Sequence, residues 1–327
     1  MKIVFYNKTL ISGGIEKCIE ILCKYIDKDY DIDIVYTDES ILDNNIVNIL
    51  SKYANVYKLT DNMSIKCDIC IWAFLYFDYY KLKKIIEANK YIAWIHSMPR
   101  ILPDCLLDNP DFVNDCSNFI CVSEAVKNHL NISKTGEVIH NFIDIEQKNT
   151  IYNFNPFNNL KKDCLKLVVV SRISQGKGFD RLLYLCHSLS KNQIDFKIII
   201  IGKGRAKEQE IKNKFINLSN VEFVGYKENP FPYVKNADYL VQLSDDESWC
   251  NSITESKVLG TPVIVTNFES SKEQIQNNFN GIIIDLNETN YDKYVIDIVT
   301  KKEILKNNLK TFEHVNEIDK WKKILIV

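Results

Sequence analysis

Two glutamates eight positions apart, Glu247 and Glu255, stand in the run SDDESWCNSITESKVLGTPVIVT. A strand, Asp238-Tyr239-Leu240-Val241-Gln242-Leu243, leads into it. The spacing predicts a short polar loop and then a helix that begins near Asn251 or Ser252 and stops at Gly260-Thr261-Pro262. One carboxylate then sits in a loop above a strand end and the other in the first helical turns. Free N–H groups and the dipole at that helix start favour an anion. Carboxylates accept hydrogen bonds from hydroxyls. Together they suit a ligand with hydroxyls at both ends and a diphosphate between, and a nucleotide-sugar is such a ligand. Acidic residues near a helix start are also ordinary caps; that explains either glutamate singly but not the whole arrangement.

Other loops carry compatible chemistry. Ser171-Arg172-Ile173-Ser174-Gln175-Gly176-Lys177-Gly178 follows an apolar run and precedes a helical one. Arg172 can fork onto a diphosphate, Lys177 can supply a point charge, and the glycines allow close backbone approach. It is not a P-loop, because no Ser or Thr follows Lys177. Gly202 and Gly204 in Ile201-Gly202-Lys203-Gly204-Arg205 read first as turn glycines, with Gly202 as a base or phosphate contact in the alternative. Gly13 and Gly14, in Ser12-Gly13-Gly14-Ile15-Glu16, lie between a strand and a helix start and read as a second wall for phosphate or acceptor. His96 ends the strand YIAWIH, at the end where open parallel sheets bind ligands. Its type suits proton handling or hydrogen bonding to a sugar. Arg100 is a weaker candidate; His140 and His187 read as structural, and Asp115 and Cys116 carry no signal.

These loops require an alternating scaffold. Apolar runs at Lys2–Tyr6, Asp33–Thr37, Asn55–Leu59, Asp68–Ala73, Tyr91–His96, Phe119–Ser123 and Glu137–His140 alternate with amphipathic stretches such as GGIEKCIEILCKYI and YYKLKKIIEANK. The alternation resumes with Leu167–Ser171, Phe196–Ile201, Val221–Val224, Tyr239–Leu243, Val263–Thr266 and Gly281–Ile284. Such alternation implies an α/β fold with parallel sheets. We read residues 1–145 as one domain, the Asn-rich 146–162 as a linker, 163–310 as a second domain and 311–327 as a terminal helix packing back towards the first. Val315, Ile318, Trp321 and Ile324 share one face of that helix.

Bulk properties bound the function. The 327 residues suffice for two domains, and 46% hydrophobic with 26% charged residues describes a globular chain. A net charge of −2 argues against a nucleic-acid binder. The start, MKIVFYNK, reads as a strand rather than a signal peptide, and no apolar run is long enough to span a membrane. The ten cysteines, Cys67-x-x-Cys70 included, read as reduced core thiols, which points to the cytoplasm.

Taken together, Gly13-Gly14-Ile15-Glu16, His96, VSEAVKNHL, VIHNFID, SRISQGKG, the Gly202 loop, VEFVGY, NADYLVQLSDDE and TESKVLGTPVI resemble the retaining glycosyltransferases of family 4. The resemblance covers nearly the whole chain. It implies the GT-B architecture: two facing Rossmann-like domains with parallel sheets and a deep interdomain cleft. It implies that Glu255 binds the donor ribose, Glu247 the transferred sugar, and Arg172 and Lys177 the diphosphate. Backbone around Asn251 and Ser252 would cradle phosphate, His96 would lie near the reacting centre, and the first domain would bind the acceptor. The family's Gly-Phe-Gly after the first glutamate is replaced here by Ser248-Trp249-Cys250.

The expected activity is transfer of a hexose from a nucleotide diphosphate sugar, with UDP favoured, to a saccharide or lipid-linked saccharide in surface polysaccharide assembly. No cofactor or metal is required if Arg172 and Lys177 supply the charge. Rival readings are a non-catalytic binding subunit of a transferase complex, or another nucleotide-sugar enzyme such as an epimerase. The basic stretch YYKLKKIIEANK reads either as a peripheral contact with the inner membrane face or as a solvated helix face.

Overall fold

The computed structural model describes residues 1–98, 105–132, 134–144, 154–204, 207–312 and 317–326. The chain divides into two compact units, one of Met1–Ile143 with Asn316–Val327 and one of Asp144–Val315. Each is built on a parallel sheet.

In the first unit the strands are β1 Lys2–Tyr6, β2 Asp31–Tyr36, β3 Asn55–Lys58, β4 Ile65–Trp72, β5 Ile86–Ile95, β6 Cys116–Cys121 and β7 Glu137–Val138, in the order β3-β2-β1-β4-β5-β6-β7. Helices α1 Gly14–Ile26, α2 Asn44–Leu50, α3 Tyr79–Ile85, α4 Pro110–Asp115 and α5 Glu124–Asn128 connect them. The second sheet holds β8 Leu165–Val170, β9 Phe196–Ile201, β10 Val221–Gly225, β11 Tyr239–Gln242, β12 Val263–Thr266 and β13 Gly281–Ile284, ordered β10-β9-β8-β11-β12-β13. Its helices include α6 Phe179–Lys191, α7 Glu208–Asn213, α8 Phe231–Asn236, α9 Asn251–Val258, α10 Ser271–Gln274, α11 Asp292–Thr300 and α12 Lys302–Leu309. A last helix, α13 Ile318–Ile324, belongs to the first unit.

Strands buried on both faces must be apolar at every position. In β9, Ile198 and Ile200 enter one core cluster and Ile199 and Ile201 the other. The order of each sheet reverses once, between β1 and β4 and between β8 and β11. The loops leaving those four strands flank a topological switch, where doubly wound sheets bind ligands.

Two elements depart from the sequence expectation: the terminal helix read over 311–327 spans only Ile318–Ile324, with Val315 outside the described residues, and the helix read after Asp78 is cut short. YYKLKKIIEANK is helical only over Tyr79–Ile85; Ile86 has extended dihedrals and begins β5, whose Ile86 pairs with Ile65 of β4. Burying Ile86 in the sheet overrides the helical pattern. The basic face is also largely paired, with Lys81 on Asp61 and Lys83 on Asp115. Of the stretch read as a linker, 146–153 lies outside the described residues, and Phe157 is buried in the second unit's core. All ten cysteines are buried free thiols. Among the described residues, no helix is long and apolar enough to cross a membrane.

Candidate functional site

In the second unit the loops after β8 and β11 are clipped together. Gly178 adopts φ 72° as the N-cap of α6, and a Cβ there would lie 1.7 Å from the Leu243 carbonyl oxygen. Only glycine combines that dihedral with that approach. The Asp245 N–H donates to the Gly176 carbonyl at 2.8 Å. Arg181, in the first turns of α6, donates from Nη1 to Leu243 O and from Nε to Leu286 O, each at 3.0 Å, and pairs through Nη2 with Asp245 at 2.6 Å. Sequence reading missed Arg181, because its partners lie 62 and 105 residues away and are backbone oxygens that no pattern marks.

This clipping brings two expected site residues into contact. Lys177 Nζ lies 2.6 Å from Glu247 Oε1, with both side chains mostly buried. The same oxygen accepts from Ser244 Oγ at 2.8 Å and Gln242 Nε2 at 3.0 Å. Ser270 Oγ donates to the Glu247 carbonyl at 2.7 Å, and Thr266 Oγ1 to the Ser244 carbonyl at 2.6 Å. The loop is therefore held from β12, α10 and α6 at once, and Glu247 has little rotamer freedom left to lose on binding.

Helix α9 begins at Asn251, with Ser252 and Glu255 in its first two turns; all three are half-buried. The side chain of its N-cap residue, Cys250, makes no capping hydrogen bond. Instead Gln274 of α10 accepts from Cys250 N at 3.1 Å and donates to Cys250 O at 2.9 Å, fixing the approach to the helix start. Cys250, which stands where the resembled family has its last glycine, is buried and packed in the second core cluster. Arg172 is exposed beyond the end of β8.

Gly202 and Gly204 have a packing reason. Cβ atoms there would stand 1.9 Å from Ser171 O and 2.2 Å from Ile173 O, and Gly204 bridges Ile173 in parallel fashion. The loop after β9 thus lies backbone to backbone against the loop after β8. Arg205 lies outside the described residues. A cavity of about 520 Å³ opens on the flank of the β8 loop, lined by Ser174, Gly176, Arg181, Lys207, Asp245 and Glu288. Neither Lys177 nor Glu247 lines it.

In the first unit, Gly13 and Gly14 are exposed at the start of α1. The loop before them is organised by Glu16, which is buried and accepts from Asn7 Nδ2 at 3.0 Å. Its Oε2 would stand 2.8 Å from a Cβ at Gly13, so glycine leaves room for the returning carboxylate. His96 follows β5, two strands from β1 and so about 10 Å away across the sheet. Its ring packs on Trp94 at 4.4 Å, and Nε2 is buried without a hydrogen-bond partner among the described residues. Burial pulls its pKa down to about 3. It is neutral near pH 7, so of the two roles expected for it, hydrogen bonding fits and proton handling near neutrality does not. Arg100 lies outside the described residues.

His140 and His187 serve as structure: the His140 N–H donates to Glu317 at 2.8 Å, and His187 is exposed on α6. Asp115, which carried no signal in the sequence, pairs with Lys83 and Tyr79. A second cavity, of about 570 Å³, lies at the carboxyl ends of β1, β2 and β3, lined by Tyr6, Lys8, Thr37, Lys58, Tyr76 and Phe77. No sequence motif announced it, because its lining comes from four separate segments.

Residues 152–312 match the family described as glycosyl transferases group 1. The chain is 23% identical over 212 residues to an uncharacterized glycosyltransferase, MJ1059, of Methanocaldococcus jannaschii, covering 60% of this chain and 52% of that protein. It is 23% identical over 175 residues to the N-acetylgalactosamine-N,N'-diacetylbacillosaminyl-diphospho-undecaprenol 4-alpha-N-acetylgalactosaminyltransferase of Campylobacter jejuni, covering 52% of this chain and 45% of that one. The chain spans about half the length of the curated relatives it matches. Among solved structures, Anabaena Alr3699/HepE in complex with UDP and glucose aligns with a TM-score of 0.74 at 17% identity, covering 99% of this chain and 98% of that one. That likeness shows the GT-B fold.

Proposed function

From the match of residues 152–312 to the glycosyl transferases group 1 family, we propose that this chain moves a sugar from a UDP-sugar to an acceptor hydroxyl, with retention, in surface polysaccharide or glycan assembly. The observation that carries the reading is the Lys177–Glu247 pair, fixed at the β8/β11 switch in the loop that leads into α9.

The roles follow from charge and position. Glu255 takes the ribose hydroxyls, and Glu247 takes hydroxyls of the transferred sugar. The α9 N-terminus at Asn251 and Ser252 receives phosphate, with Lys177 and Arg172 neutralising the leaving diphosphate and no metal required. In this arrangement Lys177 is shared: its partner Glu247 keeps it in place before the donor arrives, so stabilisation of the leaving group needs little reorganisation. The Gly202 loop packs backbone to backbone on the β8 loop and offers the donor its main-chain groups.

The first unit is assigned the acceptor. His96 offers a neutral imidazole to a sugar hydroxyl, Gly13 and Gly14 offer exposed backbone, and the cavity lined by Tyr6, Tyr76 and Phe77 offers aromatic faces. Two similar proteins support the substrate classes: one was captured with UDP and glucose, and one acts on a diphospho-undecaprenol-linked saccharide. A saccharide acceptor, free or lipid-linked, is therefore the partner we assign.

Calorimetry with UDP and GDP, and anomeric analysis by NMR of product formed from UDP-sugars, test the reading. The expected result is preferential UDP binding and a product that keeps the donor's anomeric configuration. Absence of binding to any nucleoside diphosphate, or an inverted product, overturns it.

A further inference from the structure

Gln242 ends β11 and is 3% exposed, in a strand that is otherwise Tyr-Leu-Val. Its Nε2 donates to Ser244 Oγ at 2.7 Å and to Glu247 Oε1 at 3.0 Å. Its own Oε1 is buried with no hydrogen-bond partner among the described residues. An orphan buried carbonyl is a cost to the fold that a leucine of similar size would avoid. Turning the amide over offers no relief, because the carbonyl oxygen would then face the Glu247 carboxylate. The side chain is held in the orientation that serves Glu247 and not itself.

Glu247 Oε1 accepts three donors, from Lys177, Ser244 and Gln242. A carboxylate oxygen has two lone pairs, so this one has no capacity left for a ligand. The described residues give Oε2 no hydrogen bond. We infer that Gln242 is a positioning residue for the donor sugar: with Ser244 it saturates one oxygen of Glu247, so that Oε2 alone accepts from a sugar hydroxyl, in one direction. The inference rests on the role proposed above for Glu247. It locates part of the sugar selectivity in a residue that touches no substrate.

The test compares Gln242→Leu and Gln242→Glu with the wild type. The readouts are thermal stability, UDP affinity by calorimetry, and turnover of the UDP-sugar that wild type uses best from a panel of glucose, galactose and N-acetylglucosamine donors. Gln242→Leu should melt at the wild-type temperature or above it and bind UDP as before. It should lose about tenfold in turnover through kcat rather than KM, the loss expected for one hydrogen bond to a charged group. Gln242→Glu, the closer isostere, should be worse, because it sets a second carboxylate against Glu247. A packing role would reverse that ranking. If Gln242→Glu fails to fold, Ser244→Ala replaces it and should lower turnover without adding fully to Gln242→Leu. Wild-type turnover in Gln242→Leu, or a loss confined to UDP affinity, overturns the inference while leaving the proposed function standing. A wild type that binds neither UDP nor any donor overturns both.

Discussion

The two switch points are built in opposite ways. At β8/β11 the loops are cross-braced by Arg181, Ser270, Thr266 and Gln274, and the reactive groups arrive already paired. In the first unit the strand ends offer exposed glycines after β1, a neutral His96 after β5 whose Nε2 has no partner among the described residues, and an aromatic-lined cavity at β1, β2 and β3. The first arrangement suits a ligand whose charge is fixed, since preset dipoles and ions need no rearrangement. The second suits hydroxyl-rich ligands of variable shape, held by ring faces and neutral hydrogen bonds. A nucleotide donor and a saccharide acceptor differ in that same respect.

The comparison can be broken most severely at Gly178. Gly178→Ala places a methyl group against the Leu243 carbonyl at a left-handed dihedral and should cost roughly 3 kcal/mol or more of stability in urea titrations, with nucleotide affinity lost alongside. The same change at Gly260, also at positive φ but with open space around it, should cost about 1 kcal/mol. Equal losses at both positions would mean that the β8/β11 contact adds nothing to backbone strain.

Next come the paired charges. Glu247→Ala should lower turnover by about a hundredfold with UDP affinity little changed, whereas Lys177→Ala and Glu255→Ala should each weaken UDP binding about tenfold. Initial rates with calorimetry separate the two effects. Arg181→Ala, which touches only the brace, should lower both stability and turnover modestly, by about 1–2 kcal/mol and tenfold. Loss of turnover without loss of stability would instead place Arg181 in the donor site.

The smallest effect is expected at His96, and it is best read from pH. Burial holds its folded pKa at about 3, below the ordinary 6.5. The unfolded chain therefore binds more protons between those values, and stability falls as pH drops from 6.5 towards 3. In His96→Gln that acid-side slope should be shallower in denaturant titrations. The wild-type kcat profile should show no step near 6.5 from this residue. An inflection there that vanishes in His96→Gln would restore the proton-handling role.

Much of the scaffold was legible before any coordinates. The thirteen strand segments read from the sequence all appear; the central ones stand out because a strand buried on both faces must be apolar throughout, while the half-exposed β3, β7 and β10 were read from the alternation around them. The loops rich in glycine, lysine and glutamate were found for a related reason: they follow strand ends. The extension of β5 back to Ile86 was not, since IIEANK fits a helix locally and only pairing with Ile65 decides otherwise. Arg181 escaped notice because it bonds to backbone oxygens of distant segments, Gln242 because it sits in an apolar strand, and Glu16 because its donor is the Asn7 side chain. A neutral His96 was equally hidden, as its titration depends on packing by Trp94 and on burial rather than on a neighbour in sequence.

The last helix has a consequence for how the protein is made. Trp321 packs at 4.7 Å on Trp94, and Glu317 accepts from the main chain of His140, 177 positions earlier. During synthesis the residues of Asp144–Val315 must all leave the ribosome before those contacts can form. The unit translated first therefore waits, with the face of Trp94 that meets Trp321 unsealed, until α13 arrives.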